Sequence, residues 1–211
     1  MADMVTLDTL REMKNQYPDA TVVTYINSSA AVKAESDIIC TSSNAIDIVN
    51  RVKGETILFV PDRNLADYVK RYTEKKIIPW DGFCPIHESF TIEELKLAKQ
   101  KYPDALIVVH PERSREIVNA ADEVLSTGGM VKFVKKTDIK RIILGTEHDM
   151  IHRLKKEAPW IEFISPSNCF TCKNMKKITL EKLHKSLLNE IYQITVEKNT
   201  AIRAERALRY M

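Results

Sequence analysis

Tyr17-Pro18-Asp19-Ala20-Thr21-Val22-Val23 and Tyr102-Pro103-Asp104-Ala105-Leu106-Ile107-Val108 stand 85 positions apart, and their likeness decides the fold. Self-similarity at a fixed spacing marks a repeated structural unit. Outward from this pair, Leu10 matches Leu95, Lys14 matches Lys99 and Asp37 matches Asp122. Thr41-Ser42 falls on Ser126-Thr127 and Ile57-Leu58-Phe59 on Ile142-Ile143-Leu144, with no expected change of register. Each copy reads as a helix stopped at Tyr-Pro, a short apolar strand, a polar loop and helix, a Ser/Thr loop opening another helix, and a second buried strand. Strands alternating with helices on short links imply parallel sheets covered by helices. The expected architecture is therefore α/β, with two homologous three-layer αβα domains built on short parallel sheets. Residues 1–84 and 85–172 are the expected repeats, and 173–211 the expected C-terminal helical segment packing on them.

Ligands of such sheets bind beyond the carboxyl ends of the strands. There the repeat places Tyr25 and Asn27 opposite His110 and Glu112, and Thr41-Ser42 opposite Ser126-Thr127. Two matching polar rims result. Any one of these residues could be satisfying a local loop hydrogen bond, but recurrence at fixed spacing favours a shared role. Ser126-Thr127-Gly128-Gly129 would also present backbone N–H groups at a helix start, suited to phosphate or carboxylate and equally to an ordinary cap.

Composition narrows the partners. Lys and Arg number 32 against 29 Asp and Glu, a surplus too small and too evenly spread to point to nucleic acid. Runs such as Leu106-Ile107-Val108-Val109 fall far short of the roughly 20 apolar residues of a membrane span, and the first residues lack the pattern of a signal peptide. The expected location is cytoplasmic, where the four cysteines, Cys40, Cys84, Cys169 and Cys172, serve as thiols or metal ligands before disulfides. Cys40, in the run Asp37-Ile38-Ile39-Cys40, reads as a core thiol.

Both repeats end in cysteine, for Cys84 shifted by the repeat length falls on Cys169, three residues before Cys172. The opposite shift falls just ahead of Met1, as though an earlier repeat ended there. Three cysteines meeting on a pseudo-threefold axis could hold an iron–sulfur cubane with one iron free as a Lewis acid. Zinc held by Cys84, His87, Cys169 and Cys172 is an open alternative on spacing. So is an anion-binding module without catalysis.

Eight ordered motifs carry a family resemblance. They are Val23-Thr24-Tyr25-Ile26-Asn27-Ser28 with Lys33-Ala34-Glu35-Ser36-Asp37, Cys40-Thr41-Ser42-Ser43-Asn44-Ala45, Phe59-Val60-Pro61-Asp62, Gly82-Phe83-Cys84-Pro85 with His87, His110-Pro111-Glu112, Ser126-Thr127-Gly128-Gly129-Met130, Gly145-Thr146-Glu147, and Cys172-Lys173-Asn174-Met175-Lys176. Together they resemble the quinolinate synthases over essentially the whole chain. The resemblance implies a transferase of NAD biosynthesis that condenses iminoaspartate with dihydroxyacetone phosphate, losing phosphate and water, around a central [4Fe–4S] cluster. It implies Cys84 and Cys172 as two of the three cluster ligands, the third expected ahead of Met1 in a further domain, with Cys169 a nearby redox partner. It further implies Tyr25, Asn27 and Ser42 as substrate contacts, His110 and Glu112 in proton transfer, and Ser126 and Thr127 on carboxylate or phosphate oxygens. His87 is a further active-site residue by the same resemblance, Tyr25 belongs to the catalytic group, and iminoaspartate would come from an L-aspartate-oxidising enzyme.

His148, His152 and His184 read as surface or packing residues, and Trp80 as packing. Glu147, overlying Asp62 at a strand end, is a candidate for the rim.

Overall fold

A computed structural model describes residues 1–167 and 170–211. The first half runs through α1 (Leu7–Gln16), β1 (Thr21–Tyr25), α2 (Ala30–Ala34), β2 (Ile38–Cys40), α3 (Ala45–Arg51), β3 (Thr56–Val60), α4 (Arg63–Lys70) and β4 (Lys76–Pro79). A short helix, α5 (Pro85–Glu88), leads into the second half. There the chain repeats itself as α6 (Ile92–Lys101), β5 (Leu106–Val109), α7 (Arg115–Ala120), β6 (Glu123–Val124), α8 (Thr127–Val134), β7 (Arg141–Gly145), α9 (Met150–Glu157) and β8 (Glu162–Ile164). Two helices follow, α10 (Leu180–Asn189) and α11 (Lys198–Leu208).

The repeat extends to individual hydrogen bonds. Thr6 and Thr91 each close a capping box at the start of their helix, with Thr9 and Glu94 respectively, satisfying N–H groups that have no partner within the helix. Each helix stops at a tyrosine of nearly the same non-helical geometry, φ −129° at Tyr17 and −131° at Tyr102. Pro18 and Pro103 cannot continue either helix. The carboxylates of Asp37 and Asp122 then accept the N–H of Val22 and Ile107, both at 2.8 Å.

Both four-stranded sheets are parallel, in the orders β2-β1-β3-β4 and β6-β5-β7-β8. Side chains alternate across the pleat, so each sheet buries a cluster on both faces. In the first, Val23, Ile57 and Phe59 face one helical layer and Val22, Leu58 and Val60 the other. In the second, Ile107, Val109 and Ile143 face one layer and Val108, Ile142 and Leu144 the other. Burial on both faces explains why these strands read as continuous apolar runs.

The register expected to hold throughout does slip. Val22 pairs with Leu58 as Ile107 pairs with Ile143, but Ile57 pairs with Ile77 whereas Ile142 pairs with Phe163, one residue beyond the repeat spacing. Beyond the last strands the offset grows again. Arg63 N–H donates to Gly82 O and His148 N–H to Phe170 O, so acceptors 88 positions apart serve donors 85 apart. One residue of the difference falls before β8 and shifts its pairing, and the rest falls after it; extra length in a connection costs little.

α11 lies against α2, where Arg203 and Arg11 both bind the Glu35 carboxylate. α10 buries none of its residues among those described. Among the described residues no helix is long and apolar enough to cross a membrane.

Candidate active site

In each sheet the chain leaves the inner strand to one side and returns on the other, which opens a crevice at the carboxyl ends of the two inner strands. These are β1 and β3 in the first sheet and β5 and β7 in the second. Tyr25 ends β1, Asp62 follows β3, His110 follows β5 and Thr146 follows β7. The two crevices open on one cavity of about 490 Å³, lined by residues from both halves and from α5.

Glu112 sits at its base, 2 % exposed. One carboxylate oxygen lies 2.7 Å from His87 Nδ1, the other 3.9 Å from His110 Nδ1, and the Tyr25 hydroxyl adjoins the same group. With Glu112 ionised, a neutral His87 donates from Nδ1 and accepts the Thr146 hydroxyl at Nε2, 3.0 Å away. The Glu112 N–H donates to His110 Nδ1 at 3.3 Å, which leaves Nε2 as the protonated nitrogen of His110. The two imidazoles stack in near-parallel planes, 8° apart with centroids at 4.7 Å.

Burial and charge pull these groups in different directions. Burial holds His110 down to about 3, outweighing the attraction of Glu112. Burial alone would raise Glu112, but the hydrogen bond from His87 and the nearby imidazoles bring it down to about 2. Asp62 is driven up to about 7 by burial and then by the Glu112 charge, against the N–H groups that bind it. Burial and Glu112 push the Tyr25 phenol above its ordinary value, with Ser42 opposing. Groups whose proton affinities are separated in this way can divide the work of acid and base.

Cys84 and Cys172 open on this cavity from opposite halves, each partly buried and free of a disulfide. Burial first, then Glu112, pushes the Cys84 thiol up to about 11, with the nearby N–H groups of His87 and Ile86 opposing the rise. Cys40 is fully buried within β2, its thiol raised by that burial, and belongs to the core of the first sheet. Cys169 lies outside the described residues. Among those described, the donor atoms that converge within 4.8 Å are those of Cys84, His87 and Glu112. Two soft thiols facing one cavity fit two positions of an iron–sulfur cluster.

The remaining sequence candidates divide. Asn27, Ser42 and Thr127 line the cavity. Ser126 lines an adjoining one with Ser42, and its hydroxyl accepts the Gly129 N–H as the cap of α8. Glu147 lines the main cavity. His148 has a buried Nδ1 without a hydrogen-bond partner, while His152 and His184 are exposed. Trp80 packs beside Val60 and donates to Met4 O.

Thr146 and Arg113 were not singled out by sequence reasoning. Thr146 lies at a strand end, but its repeat counterpart is Pro61, so no polar match drew attention to it. Arg113 is 1 % exposed; its Nε donates to Gly145 O at 2.9 Å and its Nη1 to His87 O at 2.7 Å and Ile86 O at 3.2 Å. The guanidinium lies 4.5 Å over Phe90 and 5.0 Å over Phe170, and burial lowers it to about 9. It thereby ties α5, with His87, to the end of β7. A buried arginine is rare without partners, and those partners are backbone carbonyls that no motif reveals.

Comparisons with known proteins bear on this arrangement. The family described as Quinolinate synthetase A protein matches residues 1–211. The quinolinate synthase of Geobacter sp. (strain M21) is 48% identical over 208 residues, 99% of this chain and 68% of that protein. The quinolinate synthase of Dehalococcoides mccartyi (strain CBDB1) is 47% identical over 211 residues, 100% of this chain and 70% of that protein. Quinolinate synthase 2 of Methanosarcina acetivorans is 46% identical over 208 residues, 99% of this chain and 67% of that protein.

Proposed function

The chain belongs to the quinolinate synthetase A family of enzymes, and from that membership we propose that its cavity condenses iminoaspartate with dihydroxyacetone phosphate to form quinolinate for NAD biosynthesis. The single observation that carries this reading is the convergence of Glu112, His87, His110 and Tyr25 with two facing thiols in one cavity. The matched relatives are longer, the chain spanning about two thirds of each.

Cys84 and Cys172 would hold two positions of a [4Fe–4S] cluster, which when bound supplies a Lewis acid toward carboxylate or hydroxyl oxygen. Cys169 is proposed as a redox partner by the same family likeness. Ring closure repeatedly removes and returns protons, and the chain's own residues suit that task. Glu112 accepts a proton as carboxylate, and His87 relays it between Glu112 and Thr146. His110, held neutral by burial, donates from Nε2 to a developing oxyanion. The Tyr25 hydroxyl, kept protonated, donates without ionising. Asn27, Ser42, Ser126 and Thr127 supply donors for substrate carboxylates and phosphate, and closing these groups away from water strengthens each contact. We place the reaction in the cytoplasm, iminoaspartate arriving from an enzyme that oxidises L-aspartate.

The test is quinolinate formation from the two substrates by anaerobically reconstituted protein. Product is expected, with Glu112→Gln lowering kcat by about 10²–10⁴, the usual weight of a positioned acid or base. Iron and sulfide bound in full with no product would overturn the reading. A second reading follows from the convergent donors Cys84, His87 and Glu112, a single divalent cation bound without sulfide; metal analysis of the same sample separates the two.

A further inference from the structure

Asp62 and Glu147 occupy equivalent places after β3 and β7, and each carboxylate divides its two oxygens in the same way. In the first half, Asp62 Oδ1 accepts the Leu65 N–H at 2.7 Å, capping α4, and Oδ2 accepts the Cys84 N–H at 3.0 Å. In the second, Glu147 Oε2 accepts the Asp149 N–H at 2.9 Å, and Oε1 accepts the Cys172 N–H at 3.1 Å. The local bond, a helix cap at Asp62 and a two-residue turn at Glu147, uses one oxygen, and the other reaches a cysteine 22 residues on in one half and 25 in the other. The loops differ in length by three residues, and the register of the last strand has slipped, yet the bond to the cysteine persists. The adjoining backbone bonds, Arg63 N–H to Gly82 O at 2.8 Å and His148 N–H to Phe170 O at 3.0 Å, repeat it one step away.

We infer that Asp62 and Glu147 are paired positioning residues, each fixing the loop of one cysteine so that Cys84 and Cys172 face the same cavity. The pairing corrects the expected match of Cys84 with the cysteine 85 positions on, because the clasp falls on Cys172. Asp replaced by Glu reaches farther by one methylene, in keeping with the longer loop. A carboxylate aimed at a backbone N–H fixes the chain while leaving the sulfur free for a ligand. This inference deepens the proposed function, resting on the reading of the two cysteines as joint ligands.

The test is the rate of iodoacetamide alkylation of each cysteine, followed by mass spectrometry on metal-free protein at fixed pH. Glu147→Ala is expected to speed alkylation of Cys172 about tenfold, the opening that one lost charge-assisted hydrogen bond allows, with Cys84 unchanged. Asp62→Asn keeps an oxygen for Leu65 and turns its amide toward the Cys84 N–H, so Cys84 is expected to react faster with Cys172 unchanged. An unchanged rate at the clasped cysteine, or equal acceleration of both, would overturn the inference. Because no metal is present, the result is independent of cluster assembly: alkylation can fail to discriminate while reconstitution succeeds, and the converse.

Discussion

Glu112 is the residue on which the site turns, and its environment makes the protein's acid stability calculable in sign. His110 titrates near 6.5 when unfolded and about 3 when folded, so the unfolded chain binds the extra proton and stability is lost as pH falls between those values. Asp62 works the other way, since its folded carboxyl keeps a proton up to about 7 against 3.8 unfolded, and stability is lost as pH rises through that window. From pH 6.5 to 4.5 the two oppose each other. Below 4.5 Glu112, depressed to about 2, joins His110, and below 3.8 Asp62 is protonated in both states. Urea midpoints are expected to stay level from pH 6.5 to 4.5 and then drop, by about 1.4 kcal/mol per pH unit for each proton taken up. In His110→Asn the opposition vanishes, and the midpoint should fall as pH rises from 4.5 to 6.5. A wild-type midpoint declining steadily from pH 6.5 to 4.5 would refute these assignments. Arg113→Met removes a donor from three carbonyls, of which Gly145 O keeps the His110 N–H and Ile86 O the Ser89 hydroxyl, so the loss falls on His87 O and should cost about 1–3 kcal/mol in denaturant unfolding; unchanged stability would show the tie to be dispensable. His110 and Glu112 could be found in the sequence because the repeat carried them to a strand end beside the partners Tyr25 and Asn27. Arg113 could not, because its role is written in carbonyl positions that exist only after folding.

Elements make the repeat physical. Thr6 and Thr91 cap equivalent helices, so Thr6→Ala and Thr91→Ala should each cost about 1 kcal/mol, visible as similar falls in Tm. Strongly unequal losses would mean that only one helix depends on its cap. At the end of β7, a side-chain carbon on Gly145 would stand 2.7 Å from Val109 Cγ1 on β5. Gly145→Ala is expected to cost about 1–3 kcal/mol through this crowding, and to disturb the strand ends that carry His110 and Thr146. The helices and the inner strands were legible because period and punctuation act locally. The one-residue slip at β8 was not, since the residues before Cys172 offer apolar side chains to the sheet in more than one alignment, and only packing against β7 selects among them. For the same reason the match of Cys84 to its counterpart required the clasp by Glu147 rather than counting along the chain.

Across the whole molecule, two sheets of the same topology present the carboxyl ends of their inner strands to one cavity. α4 and α7 are tied by Arg115 with Asp67 and by Arg71 with Asn119, and α5 delivers Cys84 and His87 into the space between the halves. The cavity draws Glu112 and His110 from the second half and Tyr25 from the first, with hydroxyl donors from both, Ser42 from the first and Thr127 and Thr146 from the second. The most direct test of this account is anaerobic reconstitution with iron and sulfide of the wild-type protein and of Cys84→Ser, Cys172→Ser and Cys40→Ser, with both elements quantified. The account predicts comparable iron and sulfide in wild type and in Cys40→Ser, and loss of both in Cys84→Ser and Cys172→Ser. Iron without sulfide, or loading that survives removal of Cys84 or Cys172, would contradict it.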